Sequence, residues 1–256
     1  MKTRTTTGEV PGGFAFPIEA ARHSSLAAFI ACAAFALLAT GCSSYKVLPQ
    51  PDAESASSAE VCIEKGMIVA GEVEPGEPAL LFYPGALVES EAYIPLAQAI
   101  AERGIAVVIV PMPFKLAILG QSRGERALKR WPDAQFLIGG HSLGGVAATG
   151  FALKHRDRIK GLVYFASYPT GNISGSGLPV LSVYAENDGL ATQEDIDKSR
   201  SKLPADALFV AIEGGNHAGF GSYGTQKKDG EASIPASEQW RLTADAVEAF
   251  AGSAFH

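Results

Sequence analysis

Residues 105–110 read Ile-Ala-Val-Val-Ile-Val and are stopped by Pro111. The run is wholly apolar and mostly β-branched, so it has no polar face to offer to water. It has to form a strand buried on both sides, as strands are in parallel sheets covered by helices. The same constraint returns along the chain. Residues 79–83 (ALLFY) end at Pro84-Gly85, and further strands are expected at 135–138, 159–165, 180–185 and 207–212. Helical spacing fills the intervals. In 91–103 the apolar residues Ile94, Ala97, Ile100 and Ala101 share a face, and Gly104 closes the segment. Helices are also expected at 116–131, 146–154, 194–203 (with Thr192 as N-cap) and 237–250. The basic side of 116–131, carrying Arg123, Arg126, Lys129 and Arg130, reads as a solvated face. Repeated β-α units predict an α/β fold: one mostly parallel twisted sheet with helices on both faces, in a single domain over 66–256.

Composition narrows the partners. The 256 residues are 47% hydrophobic and 19% charged, enough apolar material for one large core. The net charge of −6 and the absence of a basic block argue against nucleic acid as a partner. Three cysteines are too few for a disulfide scaffold, and Cys62 reads as a small buried apolar residue.

Residues 1–41 read as a targeting segment. Lys2, Arg4 and Arg22 precede an uncharged run, 26–39, that is too short to span a bilayer, for which about 20 residues are needed. The following Leu38-Ala39-Thr40-Gly41-Cys42 resembles the lipobox of bacterial lipoproteins, which implies acylation of Cys42. Ser43 after it resembles the sorting signal for the outer membrane. The expected address is the bacterial cell envelope, anchored to the outer membrane and facing the periplasm. Residues 42–65, rich in Ser, Ala and Pro, are expected to form a flexible tether.

Ligands of open parallel sheets bind beyond the carboxyl ends of the strands. There, after 135–138, Gly140-His141-Ser142-Leu143-Gly144 spells G-x-S-x-G, with an apolar strand before it and a small-residue helix after it. A tight strand-to-helix turn lifts a serine hydroxyl clear and sets it at a helix N-terminus. Of five histidines, His217 alone follows a strand in a glycine-flanked loop, Gly214-Gly215-Asn216-His217-Ala218-Gly219, and suits a base. Asp188, three residues beyond the strand 180–185, is the candidate partner; Glu186 and Glu213 are its rivals. Two backbone donors are expected to hold an oxyanion: the N–H of Leu143, and that of Ala86 in the loop Pro84-Gly85-Ala86-Leu87.

With these residues in place the chain resembles the α/β-hydrolase superfamily over roughly residues 66–250. The likeness rests on Tyr83-Pro84-Gly85-Ala86, Gly140-His141-Ser142-Leu143-Gly144-Gly145, Asp188 and Gly215-Asn216-His217. It is nearest to compact bacterial enzymes related to dienelactone hydrolase and small carboxylesterases. The chain departs from dienelactone hydrolase itself in carrying Ser142 rather than a cysteine nucleophile, and it has Pro84-Gly85 where His-Gly is usual. The resemblance implies a serine hydrolase acting on a small ester or thioester, with no cofactor and no metal. The alternatives are an acyltransferase, or a lipid-anchored binding protein on the same fold. Residues 166–179 are too few for a helical cap, which predicts an open pocket for soluble short-chain esters with no activation at a lipid–water interface. Phe114, Tyr168, Phe220 and Tyr223 are candidate pocket walls.

Overall fold

A computed structural model describes residues 44–48 and 58–255. Eight strands form one sheet: β1 (Val61–Glu64), β2 (Met67–Ala70), β3 (Pro78–Tyr83), β4 (Ala106–Ile109), β5 (Gln135–His141), β6 (Ile159–Phe165), β7 (Val180–Ala185) and β8 (Leu208–Ile212). Their order across the sheet is β1-β2-β4-β3-β5-β6-β7-β8. β4, β3, β5, β6, β7 and β8 run parallel, and the β1–β2 hairpin adds two antiparallel strands at one edge. The helices are α1 (Ile94–Ala101), α2 (Glu125–Arg130), α3 (Leu143–Lys154), α4 (Gln193–Ser199) and α5 (Ala236–Ala254).

The apolar runs are explained by two cores, one on each face of the sheet. Leu80 and Phe82 point to the side covered by α1 and α5, where Leu96, Ile100, Val247 and Phe250 meet them. Ala79, Leu81 and Tyr83 alternate to the other side, under α2 and α3, against Leu128 and Phe151. Thr192 caps α4 as expected: its side chain accepts from the Asp195 N–H, and the Asp195 side chain accepts in return from the Thr192 N–H. Residues 166–179 contain no helix, so the sheet's carboxyl edge carries no cap there.

Four expectations are corrected. The segment 116–131 is not one helix: single 3-10 turns at Pro113–Lys115, Ala117–Leu119 and Gln121–Gly124 precede α2. The Tyr83 hydroxyl, rising from β3, donates to the Gln121 carbonyl and accepts from the Gly124 N–H, which fixes this path. A Cβ on Gly124 would lie 2.5 Å from that hydroxyl oxygen. The basic side of the same segment is not simply solvated, because Arg126 donates to the Lys65 carbonyl and Arg130 pairs with Glu64. These contacts hold the β1–β2 hairpin, whose first strand lies inside the segment 42–65 expected to be a tether. Lys65 and Gly66 both have positive φ, the backbone a two-residue hairpin turn demands. Cys62, expected to be buried, is an exposed free thiol on edge strand β1.

The fourth correction concerns the start of the tether. Residues 44–48 lie along the domain: the Tyr45 N–H donates to the Leu87 carbonyl, the Glu89 N–H to the Tyr45 carbonyl and the Leu48 N–H to the Ser222 carbonyl. Cys42 and the apolar run before it lie outside the described residues.

Candidate active site

β5 ends at His141, and α3 begins at Leu143. Between them Ser142 has φ 52° and ψ −123°. A non-glycine residue held there costs on the order of 1–3 kcal/mol, so the surroundings must enforce it. They do so through three hydrogen bonds. The Ser142 N–H donates to the Phe165 carbonyl at 3.0 Å, and its carbonyl accepts from Gly145 N–H at 3.1 Å and Ser167 Oγ at 2.6 Å. The turn is so tight that a Cβ on Gly144 would lie 2.1 Å from the Tyr83 carbonyl oxygen. Ser142 therefore stands at the tip of a nucleophile-elbow turn, half-buried, at the first turn of a helix.

Asp188 follows β7 and His217 follows β8, and the sheet brings them together. Asp188 Oδ2 lies 2.8 Å from His217 Nδ1, with the residues 6% and 1% exposed. The other carboxylate oxygen accepts from the N–H groups of Leu190 and Ala191 at 2.8 and 2.7 Å. A carboxylate so held faces Nδ1 with acceptors only, so the neutral imidazole carries its proton on Nδ1 and leaves Nε2 basic. Nε2 is buried and has no hydrogen-bond partner. The structure thus joins Asp188 to His217 and forms no bond between His217 and the Ser142 hydroxyl. Glu186 is exposed and accepts from the Gly214 N–H at 2.8 Å, a loop-closing role; Glu213 is exposed.

In the loop after β3, the Gly85 N–H donates to the Tyr93 hydroxyl at 3.1 Å and the Leu87 N–H donates to the Lys115 carbonyl at 2.8 Å. Ala86, between them, is left with its N–H uncommitted. On the elbow side, the Leu143 N–H is the first of α3 and has no carbonyl within the helix to donate to. Gly85 is needed for close approach, since a Cβ there would lie 2.8 Å from both His141 Nδ1 and Tyr93 Oη.

Three groups escaped the reading of the sequence. His141, the residue before the serine, is 1% exposed, and its ring centroid lies 4.4 Å from that of His217. Burial first, and His217 second, hold its pKa well below the usual histidine value, so this ring stays neutral. Tyr93 accepts from Gly85 and thus directs its own proton to His141 Nδ1, at 2.9 Å. Burial pushes the Tyr93 hydroxyl far above its ordinary pKa, which keeps that proton in place. The third is Asp229. It accepts from the N–H groups of His217 at 3.1 Å, Ala218 at 2.8 Å, Gly189 at 3.2 Å and Gly230 at 2.9 Å, and so ties the histidine loop to the aspartate loop. Asp229→Ala strands these donors. Hydrogen bonds to a charged group contribute roughly 1.5–3 kcal/mol each, and a misplacement of about 1 Å costs about 100-fold in rate. The expected result, read by thermal melting and steady-state kinetics, is a lower Tm with kcat reduced about 10- to 100-fold. Asp229→Asn, keeping one acceptor, should recover part of both.

The four aromatics expected as pocket walls are placed differently. Phe220 and Tyr223 are buried and pack around His141. Tyr168 is half-buried near Asp195 and Asp188; burial, then those carboxylates, raise its hydroxyl pKa. Phe114 is 84% exposed and walls nothing.

The family model for the alpha/beta hydrolase family matches residues 79–241, more than half of the chain. The chain belongs to the alpha/beta hydrolase family. Solved structures share its fold at low identity. A CIB-like hydrolase of Thermoplasma acidophilum is 16% identical with a TM-score of 0.53, over 76% of this chain and 99% of that one. Est1E of Butyrivibrio proteoclasticus is 16% identical with a TM-score of 0.52, over 77% and 98%. The esterase domain of a Rhodothermus marinus protein is 13% identical with a TM-score of 0.53, over 76% and 97%. No curated protein matches the sequence of this hydrolase.

Proposed function

We propose that this hydrolase cleaves carboxylic esters or thioesters through an acyl-enzyme, with Ser142 as nucleophile. The observation that carries the reading is the buried Asp188–His217 pair, which leaves a basic Nε2 without a partner beside a strained serine turn. Ser142 Oγ attacks the carbonyl carbon while His217 Nε2 takes the hydroxyl proton. The charge that develops on the carbonyl oxygen is received by the N–H groups of Ala86 and Leu143. Collapse expels the alcohol or thiol, which leaves with the proton from His217. Water then enters and gives a proton to Nε2 as its oxygen attacks the acyl carbon; the second collapse frees the acid while Nε2 returns that proton to Ser142 Oγ. Asp188 stabilises the imidazolium at each stage. The fold and the chemistry of esterases elsewhere on it support this reading, and a fluorophosphonate probe tests it. Rapid covalent labelling of Ser142, with turnover of acyl esters graded by chain length, is the expected result. An unlabelled, folded protein would remove the nucleophile assignment.

We also propose that Cys42 carries the lipid of a bacterial lipoprotein, on the strength of Leu38-Ala39-Thr40-Gly41-Cys42 after the apolar run. Mass spectrometry of the membrane-extracted protein should find an acylated amino-terminal peptide beginning Cys-Ser-Ser. A free peptide, or one retaining residues before Cys42, would remove the anchor.

A further inference from the structure

Seven large apolar side chains are exposed among the described residues, and four of them gather on one rim of the candidate site. Val47 and Leu48 belong to the segment 44–48, which bridges the two loops that flank the site. Its Tyr45 is paired with Leu87 and Glu89 beside Ala86, and its Leu48 with Ser222, beyond His217. Phe114 stands next to this segment: Lys115 accepts from the Leu87 N–H through its carbonyl, and its ammonium reaches Glu89 at 3.2 Å and the Ser44 hydroxyl. Leu119 completes the group, on a turn whose Gly120 packs against Pro113.

Phe114 is the telling member. It has φ 52° and Lys115 has φ 57°, two consecutive non-glycine residues in the left-handed region. That backbone is strained, and for a bulky residue it is an outlier. The strain holds an aromatic ring out in water, at 84% exposure, where it gains nothing for folding.

We propose that this rim is the face the protein lays against a lipid bilayer, with Phe114, Leu119, Val47 and Leu48 entering the boundary between headgroups and acyl chains. Two features select lipid as the occupant. The first is the chain itself: Cys42, the residue proposed above to carry the lipid, lies two positions before Ser44 in this rim, so this feature rests on that proposal. The second is the charge distribution. The exposed ammonium groups of Lys46, Lys227 and Lys228 are carried by the rim segment and by the loop after Tyr223. An anionic bilayer attracts these three ammonium groups. The remaining exposed apolar residues, Ile63, Leu153 and Leu208, are scattered over β1, the end of α3 and the start of β8.

Bromolipid quenching of tryptophan tests the orientation. The two native tryptophans are suitable silent reporters, since Trp131 precedes β5 at the amino end of the sheet and Trp240 is buried. The full chain is reconstituted in vesicles of phosphatidylcholine and phosphatidylglycerol, with and without brominated acyl chains. Phe114→Trp and Val47→Trp are compared with Leu208→Trp. An interfacial side chain sits about 5–10 Å deep, so the added tryptophan at 114 or 47 should lose about half its emission or more to bromolipid, while wild type and Leu208→Trp change little. Equal quenching at all three positions, none at 114 and 47, or no association with vesicles would each overturn the proposal. Fluorophosphonate labelling of the same samples reports the serine chemistry separately, so loss of one reading leaves the other standing.

Discussion

Replacing Ser142 by alanine is expected to leave a folded protein that neither turns over esters nor takes up a fluorophosphonate. The loss in kcat should be roughly 10⁴- to 10⁶-fold, the scale seen when the nucleophile of a serine triad is removed. The fold has little to lose. Ser142 is held by its main-chain N–H and carbonyl, and no bond of its hydroxyl secures the turn. Ser142→Gly sharpens the test, because glycine relieves the positive φ. It should remain as inactive as the alanine variant while gaining up to about 1 kcal/mol in stability. Thermal melting and esterase assays on the three proteins decide it. Turnover near the wild-type rate in either variant would move the chemistry away from the elbow.

The second large effect separates two carboxylates two residues apart. Asp188→Asn should cost about 10⁴ in kcat, because an amide in that place can offer a donor to Nδ1 and impose the wrong tautomer on His217. Glu186→Gln should change kcat by less than about threefold, since the amide oxygen of glutamine still accepts the Gly214 N–H. Parallel kinetics on the two variants, with circular dichroism to confirm folding, give the ranking. The reverse order would make Glu186 the partner of His217 and leave the 2.8 Å contact of Asp188 without a role in turnover.

Much of this arrangement could be read from residue order. The strands at 159–165 and 180–185 carry no polar face and meet sharp stops, so their limits coincide with β6 and β7. The pairing of Asp188 with His217 follows from where β7 and β8 end. Other features have no local signature. The β1–β2 hairpin turns on Lys65-Gly66 rather than on Asn-Gly or Asp-Gly, and its register is held by arginines from α2. The segment 116–131 has a helix-like apolar pattern, yet a tyrosine hydroxyl from another strand decides its path. Asp229 is one acidic residue in a polar loop, and only the closed fold shows four N–H groups turned toward it. His141 and Tyr93 acquire their roles from burial, which sequence spacing does not report.

The three groups of the site hang from strands of unequal security. Ser142 follows β5, in the middle of the sheet, while His217 follows β8, the outermost strand, whose residues are mostly exposed or half-exposed. Edge elements open at lower free energy than central ones. Fraying of β8 draws the imidazole away while the serine turn, clamped to β6, keeps its shape. Opening of the site on warming is therefore expected to begin at the base, with the serine turn and the central strands still in place.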